Sequence, residues 1–383
     1  MTTRPAGSAF KRLAWSNLAA QSAEQIGLAA APLVAVLALG AGAGETGFLQ
    51  TAATLPFLLL AIPAGVLADR MPRRRLMATA EAVRALALVA TLALVNSGRL
   101  TLALLAQLAF VGACGTVAYS VAAPALVPAL VPPAGLAAAN ARLELARTVA
   151  FVGGPALGGA LVGWTGAGAA FAAAAALSIG AVFLLAGLRE PPRAPAPPSH
   201  TLEDLREGSG FVFRHPLLLP ILITQFVFNT AFFVLQAVYV PYAVHRLGLS
   251  ASGVGVTLAV YGVGMVVGAL QAGRLIHALR FGVVIVIGPL TGLAAALVMV
   301  STIWLPTPAL AGLSFFLMGV ARSCGRSAPP RCARWSRLRP CSAACPPSIS
   351  RPTAPGRWER RSAPWWAGST ARRPAWWSRR RAS

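Results

Sequence analysis

Glu24 is the first residue in this chain whose type is at odds with its surroundings. It stands in an apolar stretch with Asn17, Gln21 and Gln25, a polar stripe at roughly helical spacing. An ionised carboxylate at the centre of a bilayer costs on the order of 3 kcal/mol or more unless it is paired. A carboxylate whose hold on its proton changes with its surroundings can couple proton movement to a change of shape. Glu24 is the leading candidate for that role, with Gln21 beside it. The alternative is a structural, hydrogen-bonded acid near the cytoplasmic third of the helix. Glu81 and Arg84, and Glu144 and Arg147, are each three residues apart and share a helix face. Both spacings suit ion pairs that brace a bundle, and Arg147 is also a candidate cavity residue. Gln225, Asn229 and Gln236 alternate with Phe226, Phe228, Phe232 and Phe233. Gln225, Asn229 and Phe232 would suit a cavity for bulky, partly apolar cargo, although ordinary helix packing uses the same residues. No phosphate-binding loop or nucleophile–base set occurs. The cysteines, Cys114 and four crowded after residue 322, form no convincing zinc spacing. No catalytic residue, metal site, cofactor or enzyme activity is therefore expected.

The elements that must position these residues are membrane helices. Charged residues make up 11% of the chain and hydrophobic ones 56%, against about a quarter charged in an ordinary soluble domain. The apolar residues come in runs of about 20, the length that crosses a hydrocarbon core as helix. Spans are expected near 14–39, 46–68, 76–96, 100–129, 137–163, 167–188, 217–243, 252–273, 281–301 and 306–321. With the N-terminus in the cytoplasm, Arg4, Lys11, Arg12, Arg70, Arg73–Arg75, Arg189, Arg193, Arg206, Arg214, Arg274 and Arg280 fall inside. Only Arg99 and Arg246 then fall outside. The positive-inside rule selects that orientation. The hydrophilic stretch 189–216 opens with P-P-R-A-P-A-P-P, an extended linker. It divides the chain into an N-terminal six-helix half (1–188) and a second half that reaches only four spans (217–321). Parallel halves of this kind are a transporter architecture.

Two motifs carry a resemblance. Gly65 to Arg75 reads G-V-L-A-D-R-M-P-R-R-R and resembles the G-x-x-x-D-R-x-G-R-R signature of the major facilitator superfamily, with Pro72 where that pattern has Gly. Gly65 would allow close helix approach, and the arginines would stay at the cytoplasmic face, where they can pair with Asp69 or a helix C-terminus. The resemblance implies that Gly65, Asp69, Arg70 and Arg74 latch the two halves in an outward-facing state. Gly153 to Gly159 reads G-G-P-A-L-G-G and is similar to the G-P-x-x-G-G element of antiporters in that superfamily. Gly154, Pro155, Gly158 and Gly159 are its counterparts, with Pro155 kinking a helix and the glycines packing it closely. A degenerate echo of the first motif runs from Gly268 to Arg274.

The last 62 residues differ in kind. From Arg322 to Ser383 there are 15 Arg and one acid, Glu359, so this segment contributes +14 of the net +23. It holds one Leu, one Ile and no Val, Phe or Met, and the break falls inside the tenth span. A helix halted there would leave backbone groups unsatisfied in lipid. GC-rich coding DNA read out of frame accounts for this texture. Trp and Cys codons begin with T, and in the shifted frame that base moves to the second position, where T encodes apolar residues. The shifted reading can give the rest of a tenth span, an L-G-R-V loop and a Gly/Ala-rich eleventh span. A genuine basic tail for anionic lipid or nucleic acid is the competing reading.

The resemblance, together with these residues, implies an all-α, polytopic transmembrane bundle of the major facilitator fold, its second half incomplete and its tail (322–383) aberrant. It implies a monomeric secondary transporter of the bacterial inner membrane, similar to the drug, siderophore and macrolide exporter branch. Alternating access would move a small amphipathic metabolite or drug outward, coupled to protons. The expected partners are the lipid bilayer, protons and a small-molecule substrate, and not nucleic acid. The alternative from another class is a non-transporting membrane protein, either a sensor or an inactive frameshift product.

Overall fold

The computed structural model describes residues 7–188, 190, 210, 213, 218–278 and 281–326. The expected linker and almost all of the expected tail lie outside them. The described residues form helices joined by short turns: α1 Ser8–Leu39, α2 Ala43–Arg70, α3 Arg73–Asn96, α4 Leu102–Leu130, α5 Leu136–Thr165 and α6 Ala167–Ala186 in the first half. The second half contributes α7 Leu218–His245, α8 Ala251–Ala278, α9 Phe281–Ser301 and α10 Pro308–Arg326. Each of the ten expected spans overlaps one of these helices. Among the described residues eight are long and apolar enough to cross a membrane by themselves, and α9 and α10 hold shorter apolar stretches.

Local signals set the helix ends. Gly40 closes α1 with φ of 66°, a left-handed cap that favours glycine. At the start of α2 the Gly42 amide donates to the Glu45 carboxylate at 2.8 Å, and the Thr101 hydroxyl caps α4 by accepting from the Leu104 amide at 3.3 Å. Outward faces are apolar: Leu58, Leu86, Phe183, Phe226 and Leu270 are each about 70–80% exposed. Water would not tolerate such a surface on a molecule of this size, so lipid must cover it. Trp15 projects at one end of the bundle, and Trp164 and Trp304 project at the other, where interfacial indoles belong.

One end of the bundle carries Lys11, Arg12, Arg70 and Arg73–Arg75 and is called the basic end below. There the buried core joins Phe10, Leu13, Met77, Tyr119, Leu126, Leu185 and Leu188, all from the first half. Toward the far end a second core joins both halves: Leu33 and Val36 of α1 pack with Phe232, Tyr239 and Val240 of α7, Val254 and Tyr261 of α8 and Phe315 of α10. The Thr46 hydroxyl of α2 donates to the Ala237 carbonyl of α7 at 2.9 Å, also near the far end. Helices α5 and α8 cross so closely there that a Cβ on Gly159 would stand 2.6 Å from both the Ala251 carbonyl oxygen and Gly255 Cα. Among the described residues, the two halves are thus joined toward the far end.

Helix α10 runs to Arg326, so the expected boundary at Ala321 falls within it. Ser323 is part of the packing: its hydroxyl donates to the Met265 carbonyl of α8 at 2.7 Å. Its Cβ would lie 2.9 Å from a Cβ added to Gly268. A small hydroxyl residue can continue a helix against a glycine-faced neighbour, which explains why the change in composition at Arg322 does not stop this one.

The tightness of the α5–α8 crossing gives a direct test. Gly159→Ala should lower stability by about 1–3 kcal/mol through overpacking, read as a reduced thermal midpoint of the detergent-purified protein. Gly153→Ala, where an added Cβ meets nothing within 4 Å, should be neutral or slightly stabilising.

Candidate functional site

At mid-membrane depth four helices of the first half converge on one guanidinium. Arg84 of α3 is almost wholly buried. Its Nε donates to Glu81 Oε1 at 3.2 Å, and its Nη2 donates to Glu81 Oε2. Nη2 also donates to the Ala20 carbonyl of α1 at 3.0 Å, and Nη1 donates to the Thr116 hydroxyl of α4 at 3.0 Å. Glu81 is fully buried and accepts a further bond from the Ser178 hydroxyl of α6. The Glu81–Arg84 pair is therefore bidentate, and its remaining polar atoms are largely satisfied. Removing one partner from such a pair leaves an uncompensated buried charge.

Glu24 is the member with capacity to spare. It stands at the middle of α1, nearer mid-membrane than the cytoplasmic third. Its carboxylate lies 3.6 Å from Arg84 Nη1, and its side chain keeps 17% exposure. Glu81 and Arg84, expected as a self-contained helix brace, are thus joined to the candidate carboxylate. The spacing identified the brace; what the sequence did not mark was that Thr116 and Ser178, lone hydroxyls in apolar spans, are its other partners.

The rest of the polar stripe does not act together. Asn17 is buried and donates to the Leu143 carbonyl of α5 at 3.4 Å. Gln25 is buried against Gly154. Gln21 is half-buried and makes no side-chain hydrogen bond among the described residues. The expected Glu144–Arg147 pair does not form: Glu144 is exposed, and the Arg147 guanidinium sits over the Phe151 ring, 5.5 Å from its centroid. An aromatic face one turn along the same helix holds the cation instead.

The glycines of α5 divide between two neighbours. Gly154 and Gly158 face α1, where added Cβ atoms would stand 2.4 Å from Gln25 Cβ and 3.0 Å from the Ile26 carbonyl oxygen. Gly159 faces α8, and Pro155 is buried between them with its carbonyl oxygen against Gly255. The latch motif behaves differently. Asp69 and Arg70 are exposed, and a Cβ on Gly65 would meet nothing within 4 Å, so the close approach expected there is absent. Arg74 donates to the Ala186 and Leu188 carbonyls at 3.1 Å each, closing the C-terminus of α6. Arg73 donates to the Ala125 carbonyl of α4. Glu190 accepts from the Arg73 and Arg74 amides at 3.2 and 2.9 Å, capping α3 as an anion at a helix N-terminus does. An acid just beyond a span that faces three arginines was the sequence signal for that cap.

Of the cavity candidates on α7, Phe232 is buried, in correction of the expectation. It stacks on Tyr261 at 5.3 Å, meets Phe233 edge-on at 5.9 Å and carries the Arg322 guanidinium 5.5 Å above its ring. Aromatic packing has drawn it into the core. Asn229 donates to the Gln225 carbonyl one turn back at 2.7 Å, and Gln225 itself is exposed. Among the described residues no cluster of His, Cys, Asp or Glu could hold a metal ion.

A lipid-covered bundle of two helical halves with a buried ionic centre defines a polytopic membrane protein. The chain belongs to the Major Facilitator Superfamily, whose pattern it matches over residues 13–332. It is 31% identical over 218 residues to an uncharacterized MFS-type transporter of Sinorhizobium fredii. That alignment covers 55% of this chain and 52% of the relative, so the match spans about half the relative's length. Its fold is similar to a bacterial homologue of the human lysosomal transporter Spinster, solved inward-facing and unoccupied. The TM-score is 0.67 at 17% identity, over 85% of this chain and 75% of that one. A D-xylose–proton symporter gives a TM-score of 0.64 at 13% identity, over 83% and 81%. At these identities the two structures speak for the fold alone.

The ionic centre can be tested by itself. Arg84→Ala and Glu81→Ala should each destabilise the protein by about 3–5 kcal/mol, seen as loss of folded yield and a lower thermal midpoint. Ser178→Ala should cost about 1–3 kcal/mol, and Gln21→Ala should leave both readouts near wild type.

Proposed function

We propose that this chain is a secondary active transporter of the bacterial inner membrane, with its N-terminus cytoplasmic, that exports a small amphipathic metabolite or drug by alternating access. The observation that carries the reading is Glu24: a partly exposed carboxylate at mid-membrane depth, held beside a guanidinium whose other donors are already engaged. A carboxylate so placed can take or release a proton as the space beside it opens to one side and then the other. The far-end contacts between the halves support an inward-facing state. Proton coupling, the export direction and membership of the exporter branch rest on Glu24, on the Gly154-Pro155 to Gly159 element and on the basic latch.

A second reading concerns the segment from Arg322 to Ser383, which lies outside the described residues beyond Arg326. Its Arg-, Pro- and Trp-rich composition suits coding DNA read in the wrong frame, which would make the chain as written an incomplete, inactive transporter or a non-transporting membrane protein. Sequencing the gene across the Gly319 codon region decides this. An uninterrupted frame with strong codon bias for the present tail would remove that reading.

Everted vesicles test the function. With a panel of cationic, neutral and anionic amphipathic dyes, at least one should accumulate in a proton-gradient-dependent way. Glu24→Gln should reduce that accumulation at least tenfold while leaving the thermal midpoint near wild type. Undiminished coupling in Glu24→Gln would take the residue out of the mechanism. No accumulation even with the reading frame restored would favour the non-transporter.

A further inference from the structure

Pro241 lies one turn from the end of α7, and a proline gives no N–H to the carbonyl one turn back. That carbonyl belongs to Ala237, and the Thr46 hydroxyl of α2 donates to it at 2.9 Å. Thr46 is buried, with 2% exposure, so water does not compete for the bond. The same proline chemistry on α5 ends differently. Pro155 frees the Phe151 carbonyl, which faces Gly262 of α8, where an added Cβ would stand 2.8 Å from the oxygen. A glycine Cα–H is at most a weak donor. Of these two carbonyls released toward the opposite half, the one on α7 is met by a hydroxyl.

Each side of the Thr46–Ala237 bond is anchored in its own half. On α7, the Tyr239 hydroxyl is hydrogen-bonded to the Thr257 hydroxyl of α8. The Tyr242 hydroxyl is bonded to that of Thr302, just past α9, at 2.8 Å. On α2, Glu45 caps the helix start at Gly42, and Leu49 is buried in a core built from first-half residues. The bond therefore joins two braced segments rather than two loose helix ends.

The Thr46 hydroxyl carries one proton and has three acceptors in reach: the Ala237 carbonyl at 2.9 Å, that of Ala43 at 3.0 Å and that of Gly42 at 3.1 Å. Gly42 already accepts from the Thr46 amide at 3.0 Å. Ala237 lacks its helical donor, so it gains most from the proton. When the halves part, the hydroxyl can fall back on its own turn, as Thr51 and Thr54 of α2 do, and incoming water can serve Ala237. With the halves together, Ala237 depends on Thr46. We propose, building on the alternating-access reading, that the Thr46 hydroxyl and the Ala237 carbonyl released by Pro241 form a catch that sets how strongly the far-end joint favours its closed state. The catch adds a directional bond to a joint made mainly of glycines, alanines and rings. Its hydroxyl is satisfied whether the joint is shut or open, so the catch can release and re-form.

Alkylation of a reporter cysteine tests the catch apart from transport. With the native cysteines replaced, Val36→Cys places a thiol in the buried core shared by the halves, so a maleimide reaches it only when the far end opens. In membranes carrying the full-length chain, Thr46→Val should raise the alkylation rate about fivefold or more, because the Ala237 carbonyl then lacks a donor only in the closed state. Thr46→Ser should stay near the reference rate, and so should Thr51→Val on the exposed face of the same helix. In a Pro241→Ala background the carbonyl regains a helical N–H, and Thr46→Val should change the rate by less than about twofold. Monodisperse elution in detergent separates opening from unfolding; if Thr46→Val fails it, Thr46→Ala carries the same expectation. A reference rate in the Val and Ala variants, a Ser variant as fast as Val, or an undiminished effect in the Pro241→Ala background would overturn the catch. So would absence of alkylation in every variant. The expected rates without dye accumulation in vesicles would retain the catch while the transporter reading fails, and accumulation with equal rates would do the reverse.

Discussion

Lipid offers no hydrogen bonds, so a charge placed in it must be satisfied by the protein. In this chain that constraint acts most strongly on Arg84. Its guanidinium binds α1 through the Ala20 carbonyl and α4 through Thr116. Through Glu81 and Ser178 it also reaches α6. The pair works as a polar rivet at the centre of the first half. At the basic end Arg12, Arg73, Arg74 and Glu190 close helix termini with charge-assisted bonds. The first half is thus braced at two levels.

The joint between the halves is of another kind. Glycines, alanines and aromatic rings make it, with few polar bonds. Such surfaces separate without leaving many unsatisfied groups, since close packing rather than hydrogen bonding holds them. A rigid half and a dry, smooth joint are what rocking between two states requires. Arg147 and Arg322 lie over rings that pack against or belong to that joint's core, whereas Glu24, Glu81 and Arg84 form one centre within the first half.

Much of this was legible in the residues. Apolar runs of membrane length located every described helix to within a few residues, because in lipid the backbone has no competing partner. Gly154, Gly158 and Gly159 announced close packing, and that is where they stand. Individual contacts were harder to read. Glu81 and Arg84 were recognisable as a pair, but Glu24, Thr116 and Ser178 are distant in sequence and meet them only through tertiary packing. Phe232 read as cavity lining and is core, because aromatic residues serve both purposes and only the neighbouring Tyr261 decides. Gly65 read as a contact, yet a Cβ added there would meet nothing within 4 Å, because a glycine permits close approach without requiring it. Helix α10 runs past Arg322 to Arg326, where Ser323 and Gly268 fit each other.

Alternating access requires the far-end joint to close and open in turn. A Cβ on Gly163 would stand 3.6 Å from Ser252 Cβ, close to the separation of about 3.8 Å found across disulfides. With the native cysteines replaced, the pair Gly163→Cys and Ser252→Cys should oxidise readily in membranes. The bond should arrest dye accumulation in vesicles, and a reductant should restore it. Failure of the bond to form, or accumulation continuing with the bond intact, would contradict a joint that closes and opens at this point.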